Sequence, residues 1–518
     1  MTFSWLTVLG AVPLIGAVAV ALLPQGRGAR ADTLSKQVAL GVSLLVLALT
    51  IYVAVQYDVD GGMQFVEQYE WISAFGAYYA VGLDGIGLLM VLLTAILTPV
   101  VILASWNDAE AGRWSVKSFF AWILVLEGLS IGVFVAIDVF LFYVLFEATL
   151  IPIYFLIGGF GGARRSYAAT KFLVYSLFGG LLMLASVIGL YVLSNGSGTG
   201  ATYLLSELSQ LPIDEETGRW LFLGFFVAFA IKAPMWPVHT WLPDAASEGT
   251  PGTSVLLVSV LDKIGTFGMI RFCLGIFPEA SAWATPVVVA LAIVSVLYGA
   301  LLAIGQNDIR RLIAYTSVSH FGFIVLGIFV LNSQGHAGAV LYMFNHGLST
   351  AALFLVTGFL ISRRGSKLIS DFGGAEKVAP VLAGIFLLAG LSSLSLPGLA
   401  PFVSEFLVLV GTFSYSPAAA VLATFGIVLA ALYILIMYQR TMTGPTRPGL
   451  DAMPDLNVRE IAALAPLLVL LVVLGFYPKP ALAVINPGVE TTLEQVGKTD
   501  PEPTVSVPAS PDAEGVQE

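Results

Sequence analysis

Six ionisable side chains, Glu147, Lys232, Lys263, His320, His346 and Glu405, fall near the middle of apolar stretches long enough to cross a bilayer. Their types suit proton transfer. Histidine titrates near neutrality, a desolvated lysine gives up its proton more readily than one in water, and a nearby carboxylate restores the charged form. A glutamate and a lysine whose ion pair opens and closes can therefore load and unload a proton. A central charged residue costs about 2.5–3.5 kcal/mol on insertion scales, so the four Glu and Lys residues alone oppose insertion by roughly 10–14 kcal/mol. A static buried pair of Glu147 with Lys232, or a histidine bonded to a backbone carbonyl, would account for one member at a time. Neither accounts for a row on separate helices at one depth. Glu127, central on the preceding helix, is a weaker candidate for the same system, and Lys171, near a helix end, reads as a snorkelling side chain. His, Cys, Asp and Glu are not grouped with zinc-ligand spacing, so no metal site is expected.

The elements that must hold this row are membrane helices. Of the 518 residues, 58% are hydrophobic and 11% charged, against roughly 25% charged in soluble domains, which excludes a soluble fold. Apolar runs of about 20 residues recur along the chain and predict an all-α polytopic membrane protein with about fourteen transmembrane helices. The third is read over 80–104. The first run lacks a basic leading region and is expected to stay in the mature protein rather than be cleaved.

Two predicted spans, the seventh and the twelfth, are interrupted by proline, at Pro234 and Pro237 and at Pro397 and Pro401. Proline removes a backbone hydrogen bond, and non-helical backbone at membrane depth survives only where protein buries it or where it lines a watery cavity. Broken helices five spans apart suggest five-helix units in tandem, and an odd-numbered unit so repeated comes out inverted, as in transporters. The expected division places helices 1–3 over 1–115 and a first five-helix repeat (helices 4–8) over 116–276. A second, inverted repeat (helices 9–13) covers 283–438, helix 14 lies within 439–480, and a disordered tail rich in proline and acids covers 481–518.

Lys and Arg cluster in alternate loops: Arg27, Arg30 and Lys36; Arg113 and Lys117; Arg164 and Arg165; Arg310 and Arg311; Arg363, Arg364, Lys367 and Lys377; Arg440, Arg447 and Arg459. The loops between them carry acids such as Asp58, Asp60, Glu207 and Asp214. By the positive-inside rule the basic loops are cytoplasmic and both termini face outside. The formal net charge of -10 is no nucleic-acid signal, because much of the acid sits in loops and tail. The single cysteine, Cys273, allows neither an internal disulfide nor an iron–sulfur cluster, and no Gly-rich nucleotide fingerprint follows a strand-like segment. Any redox cofactor belongs on other chains.

The stretches Leu-Phe-Glu-Ala-Thr-Leu-Ile-Pro around Glu147, His-Thr-Trp-Leu-Pro-Asp-Ala from His239, and Asp-Ile-Arg-Arg-Leu-Ile-Ala-Tyr-Thr-Ser-Val-Ser-His from Asp308 resemble the antiporter-like subunits of proton-pumping NADH:quinone oxidoreductase, respiratory complex I. The likeness runs from about helix three through helix fourteen. Those subunits share motifs with the multisubunit Mrp-type sodium/proton antiporters. The discriminator is Phe-Val-Ser-Glu-Phe with Glu405, since the L-type, N-type and antiporter relatives usually carry lysine there, and acid resembles the M type. The chain also ends soon after helix fourteen, without the long lateral helix expected of the L type. The resemblance implies that Glu147 and Lys232 form an input-side pair, Lys263, His320 and His346 a central relay, and Glu405 the output-side acid. It implies a bacterial cytoplasmic (inner) membrane location and L-type and N-type subunits as neighbours. Flavin and iron–sulfur clusters would lie in partner subunits, with none in this chain, and quinone reduction elsewhere would drive the protons.

Two departures stand out. The family usually reads Asp-Ala-His after the broken seventh helix, where this chain has Asp244, Ala245 and Ala246, so a histidine at the cytoplasmic mouth is missing, and whether His239 substitutes for it is open. Asp262 stands beside Lys263 where an apolar residue is expected, and adjacent helix positions point about 100° apart rather than at each other. The competing readings are an Mrp-type antiporter subunit, against which Glu405 speaks, a solute carrier, and a structural spacer. A row spread over six helices is unlike one compact solute pocket, and the insertion penalty of central charges argues against a spacer.

Overall fold

The computed structural model describes residues 3–24, 29–110, 114–196 and 200–500. The chain opens with α1 (Trp5–Leu22) and α2 (Ala29–Gln56). A hairpin of β1 (Gln64–Ile72) and β2 (Ala77–Leu83) follows, antiparallel, with Glu67 opposite Val81 and Tyr69 opposite Tyr79. Then come α3 (Gly85–Ala104), α4 (Val116–Val135), α5 (Val139–Phe160) and α6 (Arg165–Gly196). α7 is in two pieces, Glu215–Lys232 and Trp241–Glu248. α8 (Pro251–Leu274), α9 (Pro278–Ile304), α10 (Ile309–Phe329) and α11 (Ser333–Arg364) precede α12, again in two pieces, Pro380–Ser393 and Ala400–Tyr415. α13 (Pro417–Met442), α14 (Val458–Phe476) and α15 (Lys479–Val496) complete it.

Among the described residues 12 helices are long and apolar enough to cross a membrane. The proline-interrupted α7 and α12 account for the other two predicted spans. The apolar windows of α8 and α11 are 100% buried inside the protein and that of α10 94%, whereas those of α2 and α14 are 28% buried. α8, α10 and α11 therefore form the centre, and the outer helices turn most of their surface to lipid, as helices in a bilayer can without penalty.

Two expectations change. Residues 80–83 belong to a strand, because the aromatic and branched run Ala77–Leu83 pairs with β1 and the Asp84 side chain then accepts from the Gly87 N–H at 2.8 Å, starting α3 at Gly85. The tail expected to be disordered from 481 is helical as far as Val496. It buries Ile485, Val489 and Leu493, spaced by four, and closes at Gly497 with φ +65. Averaging over 481–518 merged this stripe with the acid- and proline-rich 501–518, which lie outside the described residues, as do Arg27, Arg113 and the side chain of Arg30.

The basic loops meet at one end of the bundle. Lys367 reaches Glu248 at 3.1 Å and Asp308 at 3.0 Å, the Arg164 N–H donates to Glu248 at 2.9 Å, and Arg363 pairs with Glu460 at 2.5 Å. The other end holds the hairpin, α15 and a largely buried pair of Arg271 with Asp84 at 2.6 Å.

Candidate functional site

The two breaks have the same backbone design. In α7 the Ala233 N–H donates to Phe229 and Met235 to Ala230, five residues back; in α12 the Leu394 N–H donates to Gly390 and Leu396 to Leu391. At the α7 break an open carbonyl is met by a side chain, Trp241 Nε1 donating to Ile231 at 2.9 Å; at α12, Asn345 Nδ2 donates at 2.8 Å to the Ala400 carbonyl, in the first turn of the second piece. Lys232 ends the first piece of α7, and Ser393 holds the corresponding place in α12.

Lys232 is buried, its Nζ 4.8 Å from the Phe146 ring centre and 5.7 Å from that of Phe172. Neither this ammonium nor Oε1 of Glu147 has a hydrogen-bond partner among the described residues. The expected input pair is thus placed within electrostatic reach but is not closed: Lys232 rests in an aromatic cradle instead. Glu147 sits against the backbone of α6, where a Cβ on Gly180 would fall 1.8 Å from its Oε1.

The central relay is in contact. Lys263 Nζ lies 2.7 Å from Nδ1 of His346, donates to the Val258 carbonyl at 2.8 Å and stands 4.9 Å from the Phe321 ring centre. An ammonium donates to the imine nitrogen of imidazole and a neutral amine accepts from its N–H, so the contact serves either location of the proton. His346 and His320 rings are 5.1 Å apart, and His320 Nε2 is 3.4 Å from the Tyr433 hydroxyl. His320 also approaches the Ser393 backbone at the α12 break. Glu405, buried on the second piece of α12, lies near Ser395 and Tyr342, whose hydroxyls have no hydrogen-bond partner among the described residues, and near Tyr433.

Glu127 is buried on α4 near Thr98, and among the described residues neither of its oxygens has a hydrogen-bond partner and no contact joins it to the others. Lys171 does not snorkel: it bonds Asp244 at 2.7 Å, and Arg311 holds the other oxygen of the same carboxylate. His239 is buried against the rings of Tyr298 and Tyr315 rather than exposed at the mouth. Tyr342, Tyr433 and Ser395 were missed. Tyr342 was discoverable, because it stands one helical turn before His346; Tyr433 and Ser395 join only through tertiary contact. Among the described residues, no three His, Cys, Asp or Glu are grouped to hold a metal.

A family profile described as NADH:quinone oxidoreductase/Mrp antiporter, TM, matches residues 136–430. NADH-quinone oxidoreductase subunit M of Mycobacterium tuberculosis is 51% identical, over 99% of both chains. The chain belongs to the NADH-quinone oxidoreductase subunit M family. A chain of respiratory complex I from Thermus thermophilus matches this chain with TM-score 0.86 and 32% identity, covering 95% of this chain and all of that one. A chain of the Mrp complex from Dietzia sp. superposes with TM-score 0.83 at 23% identity, covering 96% and 100%, which shows a shared fold alone. The M subtype drawn from Glu405 agrees with the relatives' name.

Proposed function

We propose that this chain carries protons across a membrane along Glu147, Lys232, Lys263, His346, His320 and Glu405, with Tyr433, Tyr342 and Ser395 completing the path from His320 to Glu405. The observation that carries this reading is the 2.7 Å contact of Lys263 with His346, both fully buried, which joins the two halves at the centre. A proton leaving the Lys263 ammonium for His346 makes an imidazolium that His320, its neighbour, can relieve. In the other direction, Glu147 can draw Lys232 out of its aromatic cradle, since an open pair is free to close.

The division at 116–276 and 283–438 is supported by a second internal match. Asp138 caps α5 and pairs with Leu204, through Val139 N–H to Tyr203 and Leu205 N–H to Ile137. Asp308 caps α10 and pairs with Leu368 through Ile309 N–H to Lys367 and Ile369 N–H to Asn307. The same register five helices apart lies at opposite ends of the bundle, as inversion requires. The chain itself holds no redox chemistry; flavin and iron–sulfur clusters lie in partner subunits, L-type and N-type subunits are its neighbours, and the location is the bacterial cytoplasmic membrane. An Mrp role is less supported: the matching profile is common to both groups, but the relative at 51% identity is a subunit M, whereas the Mrp chain is 23% identical.

The test is Lys263→Met in the intact complex, which keeps the apolar stem and removes the titratable amine. Most proton translocation through this subunit should be lost at normal complex abundance, read as protons moved per electron pair. A wild-type yield overturns the row.

A further inference from the structure

α8 carries two adjacent ionisable residues, and its faces send them to different neighbours. Lys263 and Thr266, three apart and so on one face, meet α11: Lys263 touches His346, and Oγ1 of Thr266 donates to Sδ of Met343 at 2.8 Å. Asp262 and Gly265, likewise three apart, lie about 100° round the helix. A Cβ on Gly265 would come within 2.7 Å of the Ala233 nitrogen and the Phe229 oxygen, so this face abuts the end of the first piece of α7, where Lys232 sits. Lys232 accordingly feels the charge of Asp262 as well as that of Glu147.

Asp262 is fully buried, and neither carboxylate oxygen has a hydrogen-bond partner among the described residues; the hydroxyl of Ser259, on the same face one turn earlier, is equally open. A carboxylate kept for structure is paired or bonded. One left open between two lysines has lone pairs available to a proton. The helix is also loosened around it. Leu256–Leu261 and Met269–Leu274 are π-helical, and the Asp262 N–H donates five residues back to Leu257 at 3.1 Å, a departure frequent at functional sites.

We propose that Asp262 is a proton-carrying station joining Lys232 to Lys263, a step at which the row otherwise has no direct contact. The proposal rests on the proton-row reading. The Lys232 ammonium gives a proton to the Asp262 carboxylate, leaving a neutral amine and a neutral acid. The acid passes it to the neutral Lys263 amine, restoring the carboxylate and forming the ammonium that faces His346. Protons and charge balance, and nothing is oxidised or reduced.

The intact complex would be compared as wild type, Asp262→Asn, Asp262→Glu and Lys263→Met, by protons moved per electron pair and by infrared difference spectra on adding NADH. Asp262→Asn should lose as much proton yield as Lys263→Met and lose a protonated-carboxyl band sensitive to heavy water. Asp262→Glu should keep the yield and shift that band. A wild-type yield in Asp262→Asn beside a failed Lys263→Met overturns the station and leaves the row standing, whereas wild-type yields in both overturn the row. If the asparagine variant does not assemble, the glutamate variant decides: a band unmoved by Asp262→Glu overturns the proposal.

Discussion

Glu147 lies directly over the backbone of α6. A Cβ on Gly180 would sit 1.8 Å from its Oε1, so Gly180→Ala must push the carboxylate aside. In an open helix the same change would stabilise by about 1 kcal/mol. Gly180→Ala is therefore expected to reduce proton yield nearly as far as Glu147→Gln while leaving the complex assembled; equal yields for Gly180→Ala and wild type would show that the position of Glu147 is unimportant. Glu405 allows a sharper comparison. Buried among Ser395, Tyr342 and Tyr433, it must release as well as hold a proton if it is the output acid. Glu405→Asp or Glu405→Lys should retain more translocation than Glu405→Ala or Glu405→Gln at equal abundance. Indistinguishable yields across the four would remove position 405 from the path.

At the scale of elements, the breaks in α7 and α12 position the row, and the pair of Arg271 with Asp84 anchors one end of α8 to the start of α3. Burial acts to raise the Asp84 carboxyl, but the Arg271 guanidinium and the Gly87 N–H hold it below the usual carboxylate range. A lowered folded value means that the stabilisation is complete above the unfolded pKa of about 3.9 and is lost only as pH falls through the lower folded value. Arg271→Ala leaves the buried Asp84 carboxylate without its cation, so it should destabilise the subunit by about 3–5 kcal/mol. The difference in melting temperature from wild type should stay flat between roughly pH 5 and 8. A melting temperature within error of wild type would mean that α15 and the hairpin hold this end without the pair. α15 packs here too, since a Cβ on Gly85 would meet the Val484 carbonyl at 1.8 Å.

For the whole molecule, the charge pattern predicts which end faces the cytoplasm, and the lone Cys273 makes this testable because it is buried. A membrane-impermeant thiol reagent applied to intact cells should label Asp60→Cys and leave Arg447→Cys unlabelled until the membrane is opened; the reverse pattern would invert the topology. Much of this architecture is legible in the residues alone. Hydropathy determined the spans, since each must match the bilayer whatever its neighbours do, and the unfavourable insertion of central charges exposed the six row residues one by one. Alternate basic loops set the expected orientation, and Glu405 pointed to the subtype. Order along the row was another matter. Lys263 meets His346, which lies 83 residues away, while its neighbour Asp262 faces α7. Lys232 rests against Phe146 and Phe172 rather than Glu147, and Lys171 is tied to Asp244. Depth in a membrane is a property of one helix and is written along the chain, whereas the direction a side chain faces depends on helix rotation and on where prolines end a turn, which the packing of neighbouring helices decides.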